Sequence, residues 1–300
     1  METIKTDDIV GEALTSANAA LAGAFNSEVV IFRSEMRPPL DEAMREEVEK
    51  LKSSEKKPID KLTVLVETVG GFIETVERIV SVFRRHYNTV EYIVPNFAYS
   101  AGTILVLSGD EIYMDYYSIL GPIDPQYENE HGELVPGMGY LAKYKELMEK
   151  INRPRKQGDP EPKAELAYLI KKFDAAKLFH IEQSVEHSRA LLKEWLPRHK
   201  FKDWVKTETN GLPVDDTIRT ERADQIATVL GDPARWHSHG RGISMLELGG
   251  DDIKLKIKDF GADPKLNSHV RNYYSLFVDY ANKRAAKNVI HTRRGLRRLG

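Results

Sequence analysis

Ser100 lies in NFAYSAGTILVLSGD (residues 96–110), where a strand-like run ends and an apolar, helix-like run begins. A hydroxyl at such a junction has two chemistries open to it. It can accept the free N–H groups of the helix start, for which serine is a preferred residue, or it can attack a carbonyl carbon if a base takes its proton. A second junction of the same kind is VETVGG, where Gly70 and Gly71 close another strand-like run ahead of FIETVERIVSVFRRHY. Paired glycines let the backbone turn sharply and let a substrate approach its N–H groups. Acyl transfer needs both junctions, because the tetrahedral intermediate carries negative charge that two preorganised backbone donors stabilise by a few kcal/mol. Gly71 and Ala101 are the candidate donors, with the dipole of the following helix adding to the field. A cap does not call for a Gly-Gly turn at the neighbouring strand end.

The nucleophilic reading requires a proton acceptor. Among the nine histidines, His131 in YENEHGEL is the nearest downstream. Lysine is the other class, since desolvation lowers the proton affinity of its amine. VPGMGYLAKYKELMEK offers Lys143 and Lys145 on a predicted helix whose buried stripe is Tyr144, Met148 and Ile151. Both lysines flank that stripe, so periodicity does not choose between them. WHSHGRGIS brings His237, His239 and Arg241 together as a metal or anion site would; two histidines fall short of a metal site, and the favoured reading is a hydrogen-bonded loop or subunit contact. In LGPIDPQ, Asp124 stands between Gly-Pro and Asp-Pro steps that predict a turn shaping a substrate groove, with a direct catalytic role as the alternative.

These residues need elements to hold them. VVIFRS from Val29, KLTVLVET from Lys61, TVEYIVPN from Thr89 and EIYMDYYSI from Glu111 read as strands by their β-branched and aromatic content. Ile73, Val76, Ile79, Val80 and Phe83 form one helical stripe between the second and third. Strand and helix alternating at this spacing predicts an α/β fold with a mostly parallel sheet, covered on both faces. After about Tyr140 long charged helical patterns take over, and NRPRKQGDPEP from Asn152 is a break between the two regimes. The expected organisation is a helical segment over 1–28, a catalytic core over 29–150 and a helical region over 151–300.

Composition removes several function classes. The 300 residues, 41% of them hydrophobic, can build a substantial core. No cysteine is present, which excludes disulfides, thiolate metal sites and a cysteine nucleophile and fits a cytoplasmic chain. A net charge of -2 argues against a protein that wraps nucleic acid. The last eighteen residues, KRAAKNVIHTRRGLRRLG, carry seven basic residues and no acidic one and read as a solvated basic helix with a frayed terminus, or as a contact for a phosphate backbone or an acidic regulatory partner. No apolar run of about 18 residues marks a membrane span. The reading calls for no cofactor and no metal.

The runs VGG, YSAGT, LSGDEIYMDYYSILGPIDPQ, VPGMGYLAKYKEL, KEWLPRHKFKDW and RWHSHGRGISM resemble the serine dehydrogenase proteinase family, a branch of the Clp protease and crotonase superfamily. The resemblance covers about two-thirds of the chain. It implies a Clp/crotonase-like ββα spiral core, peptide-bond hydrolysis through Ser100, an oxyanion region at Gly70 and Gly71 completed by Ala101, and closed homo-oligomers such as trimers, hexamers or dimers. The Clp pattern places a histidine about 25 residues past the serine. The segment at that position here, SILGPIDPQ, has none. Related stomatin-operon proteases and signal-peptide peptidases use a lysine about 40 or more residues downstream, and Lys143 matches that spacing. The implied enzyme is a serine endopeptidase with a Ser100–Lys143 dyad. Two rivals remain at this point: a catalytically silent scaffold or partner-binding protein on the same fold, and a crotonase-like acyl-coenzyme A enzyme using the same two donors.

Overall fold

The computed structural model describes residues 5–53, 59–128, 134–156, 161–238 and 240–299. Helix α1 (Thr6–Phe25) leads into β1 (Glu28–Arg33), α2 (Leu40–Ser53), β2 (Lys61–Glu67), α3 (Ile73–His86) and β3 (Thr89–Ile93). Short β4 (Phe97–Ala98) then precedes α4 (Ala101–Leu107), β5 (Glu111–Met114), β6 (Ile119–Leu120), and the antiparallel pair β7 (Gln126–Glu128) and β8 (Leu134–Pro136). Helices α5 (Gly137–Asn152), α6 (Lys163–Lys172), α7 (Ala175–Arg198), α8 (Asp216–Leu230) and α9 (Pro233–Trp236) follow. The chain closes with β9 (Ile243–Ser244), α10 (Met245–Gly249), β10 (Lys258–Asp259), α11 (Pro264–Lys283), β11 (Asn288–Thr292) and β12 (Gly295–Leu299).

The main sheet has the order β10-β5-β3-β2-β1-β11-β12, parallel from β10 to β1 and antiparallel at β11 and β12. This is a mixed α/β fold with a parallel-rich sheet. The strands are apolar on both sides because both faces are covered. Along β1, Val30 and Phe32 join the core shared with α2, α3, α4, α7 and α8, while Val29 and Ile31 join a second core with α1 and α11. Helix α1 offers Leu14, Asn18, Leu21 and Phe25 to that second core, spacings that recur on one helical face.

Three expectations need correction. The run from Glu111 is not one strand: β5 stops at Met114, and the Asp115 carboxylate accepts the N–H groups of Tyr117 and Ser118 to turn the chain before β6. The region 151–300 is not uniformly helical, because β9 to β12 belong to sheets. The basic C-terminal run is not a solvated helix. Val289, Ile290 and His291 of β11 are buried and pair with β1, and the charges meet acids brought close by the fold: Arg293 bridges to Glu28 at 3.1 Å and Arg297 to Glu46 at 2.6 Å.

Candidate active site

The site forms where the carboxyl ends of β2 and β3 run into loops, the usual position for functional groups in a parallel sheet. Past β2, Thr68 bridges to Ala98: the Thr68 N–H donates to the Phe97 carbonyl at 3.2 Å and the Tyr99 N–H to the Thr68 carbonyl at 3.0 Å. This small ladder holds the Gly-Gly turn against the serine loop. A methyl group on Gly70, whose φ is +98°, would lie 2.9 Å from the Ser100 Cβ and 2.8 Å from the Tyr99 carbonyl oxygen. Only glycine permits that approach. The two glycines then divide the work. The Gly70 N–H donates to Thr68 Oγ1 at 3.0 Å, so it is committed internally. Gly71 bridges to Met36 on its other side, through the Met36 N–H to the Gly70 carbonyl and the Phe72 N–H to the Met36 carbonyl. Among the described residues, neither the Gly71 nor the Ala101 N–H donates a hydrogen bond.

Ser100 precedes α4 with φ 53° and ψ −116°, a conformation L-residues rarely adopt and one that occurs where the surroundings over-determine the backbone. Its side chain makes no capping hydrogen bond. The Thr103 and Ile104 N–H groups go instead to the Ser100 carbonyl, at 2.9 and 3.3 Å. The hydroxyl turns away from the helix toward the Asp124 carbonyl, at a loose 3.5 Å. The cap reading of Ser100 therefore does not describe this side chain. Thr103, fully buried, ties the floor together: its Oγ1 lies 2.9 and 2.8 Å from the Ala98 and Gly121 carbonyls and accepts the Gly121 N–H at 3.0 Å.

Asp124 links this floor to α5. Its carboxylate accepts the Met138 N–H at 2.9 Å and the neighbouring Pro125 carbonyl accepts the Gly137 N–H at 2.7 Å, so the segment under the serine also fixes the first turn of α5. Asp124 thus lies between the serine and the start of α5, in contact with both. Further along α5 the buried residues are Leu141 and Leu147, with Tyr144, Met148 and Ile151 only partly covered. Lys143 and Lys145 are both exposed. Lys143 Nζ pairs with Glu146 at 2.9 Å, and the structure does not join it to Ser100 by a hydrogen bond. Lys150 and Lys143 together hold the Glu146 carboxyl down to about 2.

The remaining sequence candidates lie elsewhere. His131 and His239 fall outside the described residues. His237 is exposed at a left-handed helix end with φ 58°. Arg241 pairs with Glu247 at 3.0 Å and lies 5.8 Å from the centre of the Trp236 ring, a packing role. Among the described residues no group of three or more His, Cys, Asp or Glu side chains could hold a metal ion, and no helix is long and apolar enough to cross a membrane. Two features around the site escaped sequence reading. Val69 and Phe72, on either side of the glycines, are each 56% exposed. Glu67 and Asn96, just upstream of the two loops, join through a hydrogen bond of 3.0 Å. The residue types alone carried no signal for that pairing.

Two uncharacterized proteins of Methanocaldococcus jannaschii are similar to the chain, one 39% identical over 70 residues (23% of this chain and 23% of that protein), the other 29% identical over 154 residues (51% and 45%). The chain thus spans less than half the length of these curated relatives. Among solved structures, a mutant of the 1510-N membrane-bound stomatin-specific protease aligns with 48% of this chain and 70% of its own at 15% identity and a TM-score of 0.32. Residues 44–138, which contain the Gly-Gly turn, Ser100 and Asp124, match the family model of the ClpP-like SDH-type serine proteinases, so the likeness to that family lies in this segment.

Proposed function

We propose that the protein is a serine peptidase in which Ser100 forms the acyl-enzyme, Gly71 and Ala101 supply the oxyanion donors, and Lys143 is the general base. The observation that carries this reading is the conformation of Ser100: its hydroxyl is turned off the helix it precedes, beside two backbone N–H groups that donate to nothing among the described residues. In the reaction, Ser100 Oγ adds to the scissile carbonyl carbon as its proton passes to a neutral lysine amine. The carbonyl oxygen, now an oxyanion, receives the two N–H groups. Collapse breaks the C–N bond, the protonated lysine gives its proton to the departing amine, and water repeats the sequence on the ester.

For Lys143 to act, its amine must leave Glu146 and swing toward Ser100. The anchoring of α5 on Asp124 places the helix beside the serine segment and supports that assignment. Enclosure in a homo-oligomer, with peptide or protein as substrate, belongs to the same proposal. A second reading, a scaffold on this fold with no turnover, is favoured by one observation: the Lys143–Glu146 pair leaves Ser100 without a side-chain base in the described structure. A serine-directed fluorophosphonate separates the two. A peptidase gives a Ser100 adduct and cleaves peptides, and Ser100→Ala loses both while keeping its fold; a scaffold gives neither in the wild-type chain.

A further inference from the structure

We infer that Glu67 is a positioning residue for this site, acting through Asn96 and held in place from the C-terminal helix by Tyr274. The inference rests on the peptidase reading. The two proposed oxyanion donors belong to different loops, so their separation depends on whatever fixes one loop against the other. The Thr68–Ala98 bridge does this on the backbone. Glu67, the last residue of β2, does it with a side chain one residue earlier. It is 4% exposed, and its carboxylate accepts Asn96 Nδ2 at 3.0 Å and Arg33 Nε at 3.0 Å, along with the Tyr274 hydroxyl. Asn96 in turn begins the serine loop, and its carbonyl accepts the Ile119 N–H at 2.9 Å, which aligns β6 with β4.

Each donor to Glu67 comes from a different element. Arg33 ends β1 and also donates to Asn282 of α11 at 2.7 Å, while Tyr274 is one residue past the turn of α11 that faces the second core through Tyr273. Burial, then the hydrogen bond and charge of Glu67, push the Tyr274 phenol upward, so it remains a donor. A carboxylate taking three donors, one of them charged, is a stiff junction. Helix α11 lies far from Ser100 in sequence, yet this junction connects it to both loops. Displacement of a reacting group by about 1 Å costs up to about 100-fold in rate, so slackening the junction should slow the chemistry and spare binding.

The test uses Tyr274→Phe, Glu67→Gln and Asn96→Ser in the full chain, reading the rate of Ser100 labelling by a fluorophosphonate, kcat and KM on a peptide, and the melting temperature. Tyr274→Phe leaves the Arg33–Glu67 pair intact, so this variant keeps the fold even if Glu67→Gln does not. The expected result for Tyr274→Phe and Asn96→Ser is a fall of about tenfold in labelling rate and kcat, with KM within about twofold of wild type. A purely structural role lowers the melting temperature and leaves kcat of the folded protein unchanged. Wild-type rates in both variants overturn the positioning role and leave the peptidase reading standing. A wild-type chain that never reacts overturns both.

Discussion

Ser100 and Gly70 define each other. The serine loop reaches its strained conformation against a glycine with no side chain, and the contact distances show how little room there is. Gly70→Ala would force a methyl group into backbone and Cβ atoms under 3 Å away, at a φ that L-residues avoid. The expected cost is about 1–3 kcal/mol of stability together with loss of peptidase activity, measured by urea denaturation and peptide turnover. The sequence made this neighbourhood legible, because Gly-Gly after one strand and Ser-Ala-Gly after the next are local patterns. It did not reveal which N–H groups lack an acceptor among the described residues. That distinction depends on Thr68 Oγ1 taking the Gly70 amide, a contact that residue types alone do not encode. Nor did it reveal that the Ser100 side chain leaves its helix uncapped, since a capping serine and a nucleophilic one look alike in one dimension.

Helix α5 is the element on which the proposed mechanism turns. Its start is fixed by the Asp124 carboxylate and the Pro125 carbonyl, and its next turns carry Lys143 and Lys145 in exposed positions. A base on this helix predicts unequal consequences for two neighbouring lysines. Lys143→Met is expected to reduce kcat by about 100-fold or more while Lys145→Met stays within about twofold of wild type, measured on the same peptide. Equal losses, or none, would remove Lys143 from the mechanism. Strands β1, β2, β3 and helix α3 could be read from sequence because β-branched runs and helical stripes are local signals. The β11–β12 pair could not. Its arginines read as a solvated tail until the fold brings Glu28, Glu46 and Glu47 beside them.

At the scale of the whole molecule, the main sheet lies between two cores, and the second core contains a buried histidine whose titration predicts a response to acid. His291 on β11 is fully buried, its Nδ1 2.6 Å from the Tyr273 hydroxyl, which also receives Asn18 of α1 at 3.0 Å. Its Nε2 has no hydrogen-bond partner among the described residues. Burial pushes the imidazole down to about 4. A depressed folded-state value means that the unfolded chain binds the proton first. The neutral histidine's contribution is therefore whole above the ordinary value of 6.5 and is lost as pH falls toward 4. Half-buried His199, also lowered to about 4 by burial and then by Arg84, adds in the same direction. The loss from His291 should be on the order of 3 kcal/mol between neutral pH and pH 4. The urea midpoint should drop over that interval, and the drop should shrink in His291→Asn.

The central claim is that Ser100 is a nucleophile rather than a cap, and intact mass measurement after fluorophosphonate treatment tests it most directly. The account predicts one adduct per wild-type chain, mapped to Ser100, and none on a Ser100→Ala chain that melts at the same temperature. A wild-type chain that stays unmodified, or an adduct that persists undiminished in Ser100→Ala, would contradict it.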